Sequence, residues 1–137
     1  MTDNIIEEIL RSTRTIALVG ASDNPGRPSW RVMDYLLKQG YEVIPVSPKL
    51  VGQTLLGQRV YATLSDIPQQ IDMVDVFRNP EVVLGVAQEA IAVCAKTLWL
   101  QLGVINEQAA LLATEAGLNV VVDRCPAIEI PRLGLNK

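Results

Sequence analysis

The chain has 137 residues, long enough for one domain with its own core, and a formal net charge of −3. Two cysteines and no histidine exclude a disulfide framework, a zinc site, and a Ser-His or Cys-His catalytic pair within this chain. There is no clustered basic run and no apolar stretch of membrane-spanning length, so neither nucleic acid nor membrane is expected as a partner, and a soluble cytoplasmic protein is expected.

Ile5, Ile6, Ile9 and Leu10 recur at helical spacing and predict an N-terminal helix. Arg14 to Val19 reads as the first strand. It ends abruptly at Gly20, and Ala21-Ser22-Asp23-Asn24-Pro25-Gly26-Arg27 forms a loop. Ser29 to Gln39 reads as a helix with Val32, Met33, Leu36 and Leu37 on one face, closed by Gly40. Tyr41 to Val46 is the second strand. Ser47 to Tyr61 reads as irregular, punctuated by Pro48, Gly52 and Gly57. Ile71 to Phe77 is the third strand, and Asn79-Pro80 opens a helix through Ile91. Thr97 to Gln101 is the fourth strand, Asn106 to Ala116 a helix stopped by Gly117, and Leu118 to Val122 the fifth strand. Pro126 and Pro131 predict a tail that is mostly extended or turned.

Strands that are nearly continuous apolar runs, alternating with helices, predict an α/β fold: a Rossmann-like, doubly wound, five-stranded parallel sheet in a single domain. The expected strand order is 3-2-1-4-5. Ligands in such sheets bind beyond the carboxyl ends of the strands, where the order reverses. That expectation gathers Gly20, Ala21, Ser22, Asn24, Arg27 and Ser29 after the first strand and Gln101, Leu102 and Gly103 after the fourth. Neighbouring strand ends add Ser47 and Lys49, then Phe77, Arg78 and Asn79.

A glycine loop running into a helix N-terminus favours an anion, because backbone N–H groups and the helix dipole point at it. The loop is neither G-x-G-x-x-G nor a Walker P-loop. Where an NAD site places an acidic residue, this chain has Val46-Ser47-Pro48-Lys49. A lysine there suits a ribose that bears a phosphate, which NADP and coenzyme A both offer.

Val19-Gly20-Ala21-Ser22, Pro25, Arg27-Pro28-Ser29, Gly40 to Val46, Trp99 to Val104 and Asp123-Arg124-Cys125 resemble the stand-alone bacterial CoA-binding domain proteins of the YccU-like group. That group is related to the N-terminal domain of the succinyl-CoA synthetase α subunit. The resemblance implies binding of coenzyme A or an acyl-CoA, with the pyrophosphate over the loop from Gly20 to Arg27 and the adenosine near the end of the second strand. Gly20, Ala21, Ser22 and Arg27 are expected to hold the pyrophosphate through N–H groups, a hydroxyl and a guanidinium. A β-branched residue at Gly20 is expected to abolish binding and leave the fold intact. Synthetase activity does not carry over, since that chemistry needs a phosphorylated histidine and an ATP-grasp partner. No catalysis of its own is expected; the alternatives are a small NADP-dependent reductase, a CoA-transfer half-enzyme lacking its partner, or a redox-responsive protein that captures CoA disulfides through Cys125. The protein partner, if any, is not specified by the sequence.

Cys125 follows an arginine that could favour a thiolate, or is a small residue at a strand end. Cys94 reads as core, on an apolar helix face. Trp30 reads as a staple between loop and body, and Trp99 as core. Arg78 could meet a phosphate or pair with Asp75 or Glu81. Asp72 and Asp75 read as edge-of-strand charges.

Overall fold

A computed structural model describes all 137 residues. In chain order the elements are α1 (Asp3–Ser12), β1 (Thr15–Val19), α2 (Pro28–Lys38), β2 (Glu42–Val46), a hairpin of β3 (Thr54–Leu55) and β4 (Gln58–Arg59), β5 (Met73–Val76), α3 (Val83–Ala92), β6 (Thr97–Leu100), α4 (Glu107–Glu115), β7 (Asn119–Val121) and α5 (Pro126–Arg132). The main sheet has five parallel strands in the order β2-β1-β5-β6-β7.

Period-two alternation along the strands divides the core between the two faces. Ile16, Leu18, Val43, Met73 and Trp99 point to α1, α2 and α5, where they meet Ile6, Ile9, Leu10, Val32, Met33, Leu36 and Ile130. Ala17, Val19, Ile44, Val74, Val76, Leu98 and Leu100 point to the opposite face and pack with Val83, Ala87 and Ala90 of α3 and Ala109 and Ala113 of α4. Trp99 is fully buried, and its indole N–H donates to the Arg124 carbonyl at 2.8 Å, so the only polar atom of that side chain keeps a partner. Trp30, near the start of α2, is partly buried and packs against this half of the core.

The Rossmann-like, doubly wound α/β fold is as expected, with one strand placed differently. Among the five long strands, the third (β5) lies between the first and the fourth and not outside the second. Pro45 supplies the physical reason. It stands in the middle of β2 and has no N–H to give to a second neighbour, which suits an edge strand and not an interior one. The outer side of β2 carries only the isolated bridge from Val46 to Tyr61. The connection into β5 crosses the α3/α4 face, where Leu64, Ile67 and Ile71 join the core. The reversal of strand order therefore lies between β1 and β5.

Four local expectations are corrected. The segment from Ser47 to Tyr61 contains the β3–β4 hairpin, turning on Leu56 (φ +49°) and Gly57 (φ +82°), the two positive φ values that a tight hairpin turn requires. The tail is helical at α5: Pro126 occupies the first turn, where its missing N–H costs nothing, and Ile130 and Glu129 are buried. The helix expected from Asn79 begins as a 3₁₀ turn over Pro80–Val82 and becomes α only at Val83. Cys94 is not core. The α3 helix has ended, Cys94 takes a left-handed conformation (φ +59°) while the Ala95 N–H closes onto the Ala90 carbonyl, and the thiol is exposed.

Candidate functional site

The carboxyl ends of β1, β2, β5 and β6 open into a crevice of about 600 Å³. Its walls come from the loop after β1, the start of α2, and the segments after β2, β5 and β6. Gly20, Ala21, Ser22, Arg27, Ser29, Ser47, Lys49, Phe77, Arg78, Asn79 and Gln101 all line it. Asn24 and Gly103 do not. Asn24 is spent inside its own loop, accepting the Gly26 N–H at 2.9 Å and donating its N–H to Ser22 Oγ at 3.1 Å. Gly103 turns with φ +78° and donates its N–H to Asp123 Oδ1 at 2.7 Å. Sequence reasoning missed Asp23, Pro28, Val32, Leu50 and Val104 as lining residues. Val32 could have been found, since it lies on the helical apolar face one turn from the helix start.

A second hollow of about 640 Å³ lies at the amino ends of the strands, bordered by Arg14, Gly40 and Tyr41. The crevice at the carboxyl ends is the stronger candidate, because parallel sheets leave their ligand cleft where neighbouring connections diverge to opposite faces. Here the connection from β1 runs to α2 and that from β5 to α3, on opposite faces.

Two of the expected donors are already used. The N–H groups of Gly20 and Ala21 both donate to the Val46 carbonyl, at 3.1 and 3.2 Å, so they tie β1 to β2 and do not face a ligand. Gly20 is needed for a different reason than ligand approach: with φ +93°, a β-carbon there would lie 2.2 Å from the Phe77 carbonyl oxygen. In the loop after β1 and the first turn of α2, the N–H groups of Ser22, Asp23 and Ser29 have no acceptor in the protein. No side chain caps α2, so its dipole also faces the crevice uncompensated.

The cations are free. Arg27, Lys49 and Arg78 take part in no ion pair. Arg78 is exposed and does not pair with Asp75 or Glu81. Asp75 is instead fully buried in β5, and Asp72 accepts the N–H groups of Arg14 and Thr15 at 2.9 and 3.0 Å. Asp75 is therefore not the edge charge expected, whereas Asp72, just before β5 and 3.7 Å from Lys96 Nζ, is one.

At the deep end of the crevice, Cys125 is buried beside Gln101. Burial pushes its thiol up, only partly offset by the polar groups of Gln101, Ala127 and Ile128. The neighbouring arginine does not offset this: Arg124 is turned to Glu129, at 2.8 Å. The arrangement does not make a thiolate.

A family model described as a CoA binding domain matches residues 14–131. The chain belongs to the CoA-binding domain family. A Bacillus subtilis (strain 168) member, the uncharacterized protein YneT, is 40% identical over 120 residues, which is 88% of this chain and 87% of the relative. The structure of a hypothetical protein from Pyrococcus horikoshii OT3 superposes with a TM-score of 0.93 at 43% identity, over 97% of this chain and 92% of the other. The α subunit of an ADP-forming acetate–CoA ligase from Pyrococcus furiosus is 33% identical over 70 residues, 48% of this chain and only 15% of that subunit. In this CoA-binding domain the matched region begins just before β1 and ends within α5, so it includes every residue that lines the crevice.

Proposed function

We propose that the crevice binds coenzyme A or an acyl-CoA, and that the protein acts as a cytoplasmic binding protein without catalysis of its own. One observation carries this reading. Three unpaired cations, Arg27, Lys49 and Arg78, line one crevice with Ser22, Asp23 and Ser29, whose N–H groups have no acceptor in the protein. A ligand with a pyrophosphate and a further phosphate satisfies both sets. The pyrophosphate lies against those three N–H groups, the α2 N-terminus and the Arg27 guanidinium. Ser47 and Lys49, at the end of β2, meet the adenosine ribose and its 3′-phosphate. The arm runs past Phe77 and Asn79 towards Gln101. Membership of the CoA-binding domain family, and the partial match to a ligase subunit whose name includes CoA, support the choice of ligand.

The absence of catalysis is argued from the crevice walls. Cys125 is buried with a raised thiol, and the chain has no histidine to activate it or the crevice serines Ser22, Ser29 and Ser47. Titration calorimetry with CoA, dephospho-CoA and NADP, beside native mass spectrometry of the purified protein, tests the reading. Saturable CoA binding with weaker dephospho-CoA and NADP binding is expected. Preference for NADP, or an NADP mass carried through purification, would overturn it.

A further inference from the structure

The crevice changes character along the sheet. After β2 and β1 it holds Lys49 and Arg27, together with the N–H groups of Ser22, Asp23 and Ser29 that have no acceptor. Arg78 belongs to the same end: its Cδ lies 3.1 Å from where a Gly20 β-carbon would sit. In the segments that follow β6 and β7, by contrast, the polar side chains are engaged with the protein itself. The Gln101 amide, with its nitrogen turned inward, donates to the Asp75 carboxylate at 2.7 and 3.2 Å. Asp123 accepts the Gly103 N–H at 2.7 Å, and Arg124 is paired with Glu129 at 2.8 Å. Asn106 accepts the Ala109 N–H at 3.0 Å and donates to the Pro80 carbonyl at 2.9 Å.

What remains open at the β6 end is apolar. Leu102 and Val104 line the crevice, and Leu102 is 56% exposed. Ile105 in the same segment and Val82, whose 3₁₀ turn is tied to it by the Asn106–Pro80 bond, are exposed as well. A single exposed leucine is ordinary. Here the exposure is built into a fixed turn. The Val104 N–H closes it onto the Gln101 carbonyl at 2.9 Å, Leu102 takes its second position, and Gly103 takes the third with φ +78°. The bond to Asp123 pins that turn to the segment after β7. Leu102 is thus held in water at the crevice wall, and a ligand that covers it gains the buried apolar area.

We propose that the β6 end of the crevice takes an uncharged aliphatic acyl group, so that the preferred ligand is an aliphatic acyl thioester of coenzyme A and not free coenzyme A or a carboxyl-bearing acyl-CoA. The proposal rests on the coenzyme A reading above. Strand order supplies the direction: with the phosphates held at β2 and β1, an arm laid across β5 past Phe77 reaches β6 with its sulfur end. A carboxylate on the acyl group would lie beside Leu102 and Val104, where Arg124 is already spent on Glu129 and Asp123 adds a negative charge.

Calorimetric titration with CoA, butyryl-CoA and succinyl-CoA tests this, the two acyl groups having chains of equal length. Wild type is expected to bind butyryl-CoA about tenfold more tightly than CoA, and succinyl-CoA no more tightly than CoA. In Leu102→Asn the preference for butyryl-CoA over CoA is expected to fall below about threefold. In Leu102→Lys, which brings a cation to the same turn, succinyl-CoA is expected to overtake butyryl-CoA. Each ratio is read within one variant, so a general loss of affinity does not imitate the result, and the exposure of Leu102 keeps both substitutions compatible with the fold. Equal wild-type affinities for CoA and butyryl-CoA, succinyl-CoA bound as tightly as butyryl-CoA, or an undiminished preference in Leu102→Asn would overturn the proposal and leave the coenzyme A reading standing. A native mass that halves in Leu102→Asn while the preference stays would overturn it too, by assigning the apolar rim to a second copy of the chain. Failure of wild type to bind CoA or either acyl-CoA would remove the coenzyme A reading itself.

Discussion

Gly20 and Phe77 meet at the point where the sheet reverses its order, and they meet so closely that a β-carbon on Gly20 would lie 2.2 Å from the Phe77 carbonyl oxygen. The neighbour is backbone and cannot rotate away. Strand β5 holds it, with the Phe77 N–H donating to the Val19 carbonyl at 2.8 Å. The glycine that marks the loop in the sequence is therefore a condition for β1 and β5 to run side by side.

Gly20→Ala is accordingly expected to destabilise the protein on the order of 3 kcal/mol, from a positive φ and a forced backbone shift together. The expectation from sequence alone, a folded protein that merely loses its ligand, is replaced by a lower melting temperature. Thermal unfolding without ligand is the measurement; an unchanged midpoint would show that the loop can move away from Phe77 at little cost.

Lys49 and Arg27 should separate when CoA is compared with dephospho-CoA. A hydrogen bond to a charged group contributes roughly 1.5–3 kcal/mol, or about 10- to 150-fold, and exposure of Lys49 puts the effect toward the low end. Lys49→Ala is expected to weaken CoA and nearly erase the preference over dephospho-CoA. Arg27→Ala is expected to weaken both ligands alike. A full preference retained in Lys49→Ala would move the ribose phosphate away from the end of β2.

Two groups of carboxyls give stability opposite dependences on pH. Arg132 and Arg124 beside Glu129, and Arg132 beside Asp3, hold those carboxyls below their usual range. Their contribution is fully present above the unfolded-state value and is lost as pH falls through the folded one. Asp75 is raised, so its contribution is present below the unfolded-state value and is lost as pH rises towards the folded one. Asp75→Asn should therefore raise the melting temperature near neutral pH and flatten the fall that begins as pH rises above the unfolded-state carboxylate value. Glu129→Ala, which unpairs Arg124 and leaves Arg132 with Asp3 alone, should cost about 1.5–3 kcal/mol and flatten the acid side. Melting curves of the two variants across pH check both signs, and identical profiles for wild type and Asp75→Asn would contradict the first.

The two cysteines should differ in reactivity, and Cys94, which the sequence placed in the core, should be the faster. Cys94 is exposed, whereas Cys125 is buried with its thiol pushed up. A thiol reagent followed by peptide mass mapping should label Cys94 first and Cys125 only slowly, or after unfolding. Cys125→Ser should bind CoA as well as wild type does. Rapid transfer of a CoA mass from CoA disulfide to Cys125 in the folded protein would restore the redox alternative.

Features that depend on neighbours along the chain were legible in the sequence. Apolar runs such as Ile16 to Val19 and Leu98 to Leu100 announced buried parallel strands, Gly40 and Gly117 closed helices, and the break at Gly20 located the crevice, because hydrophobic period and glycine conformation act over a few residues. Pro45 also carried the edge position of β2, although its missing donor has meaning only once strand pairing is considered. What tertiary structure decided was which distant groups meet. It put β5 beside β1, folded the proline-containing tail into α5 over the sheet, spent the Gly20 and Ala21 N–H groups on Val46, and buried Asp75 against Gln101. Each of these is a pairing between segments far apart in sequence, where a donor, an acceptor or a charge takes its role from the partner that packing brings to it.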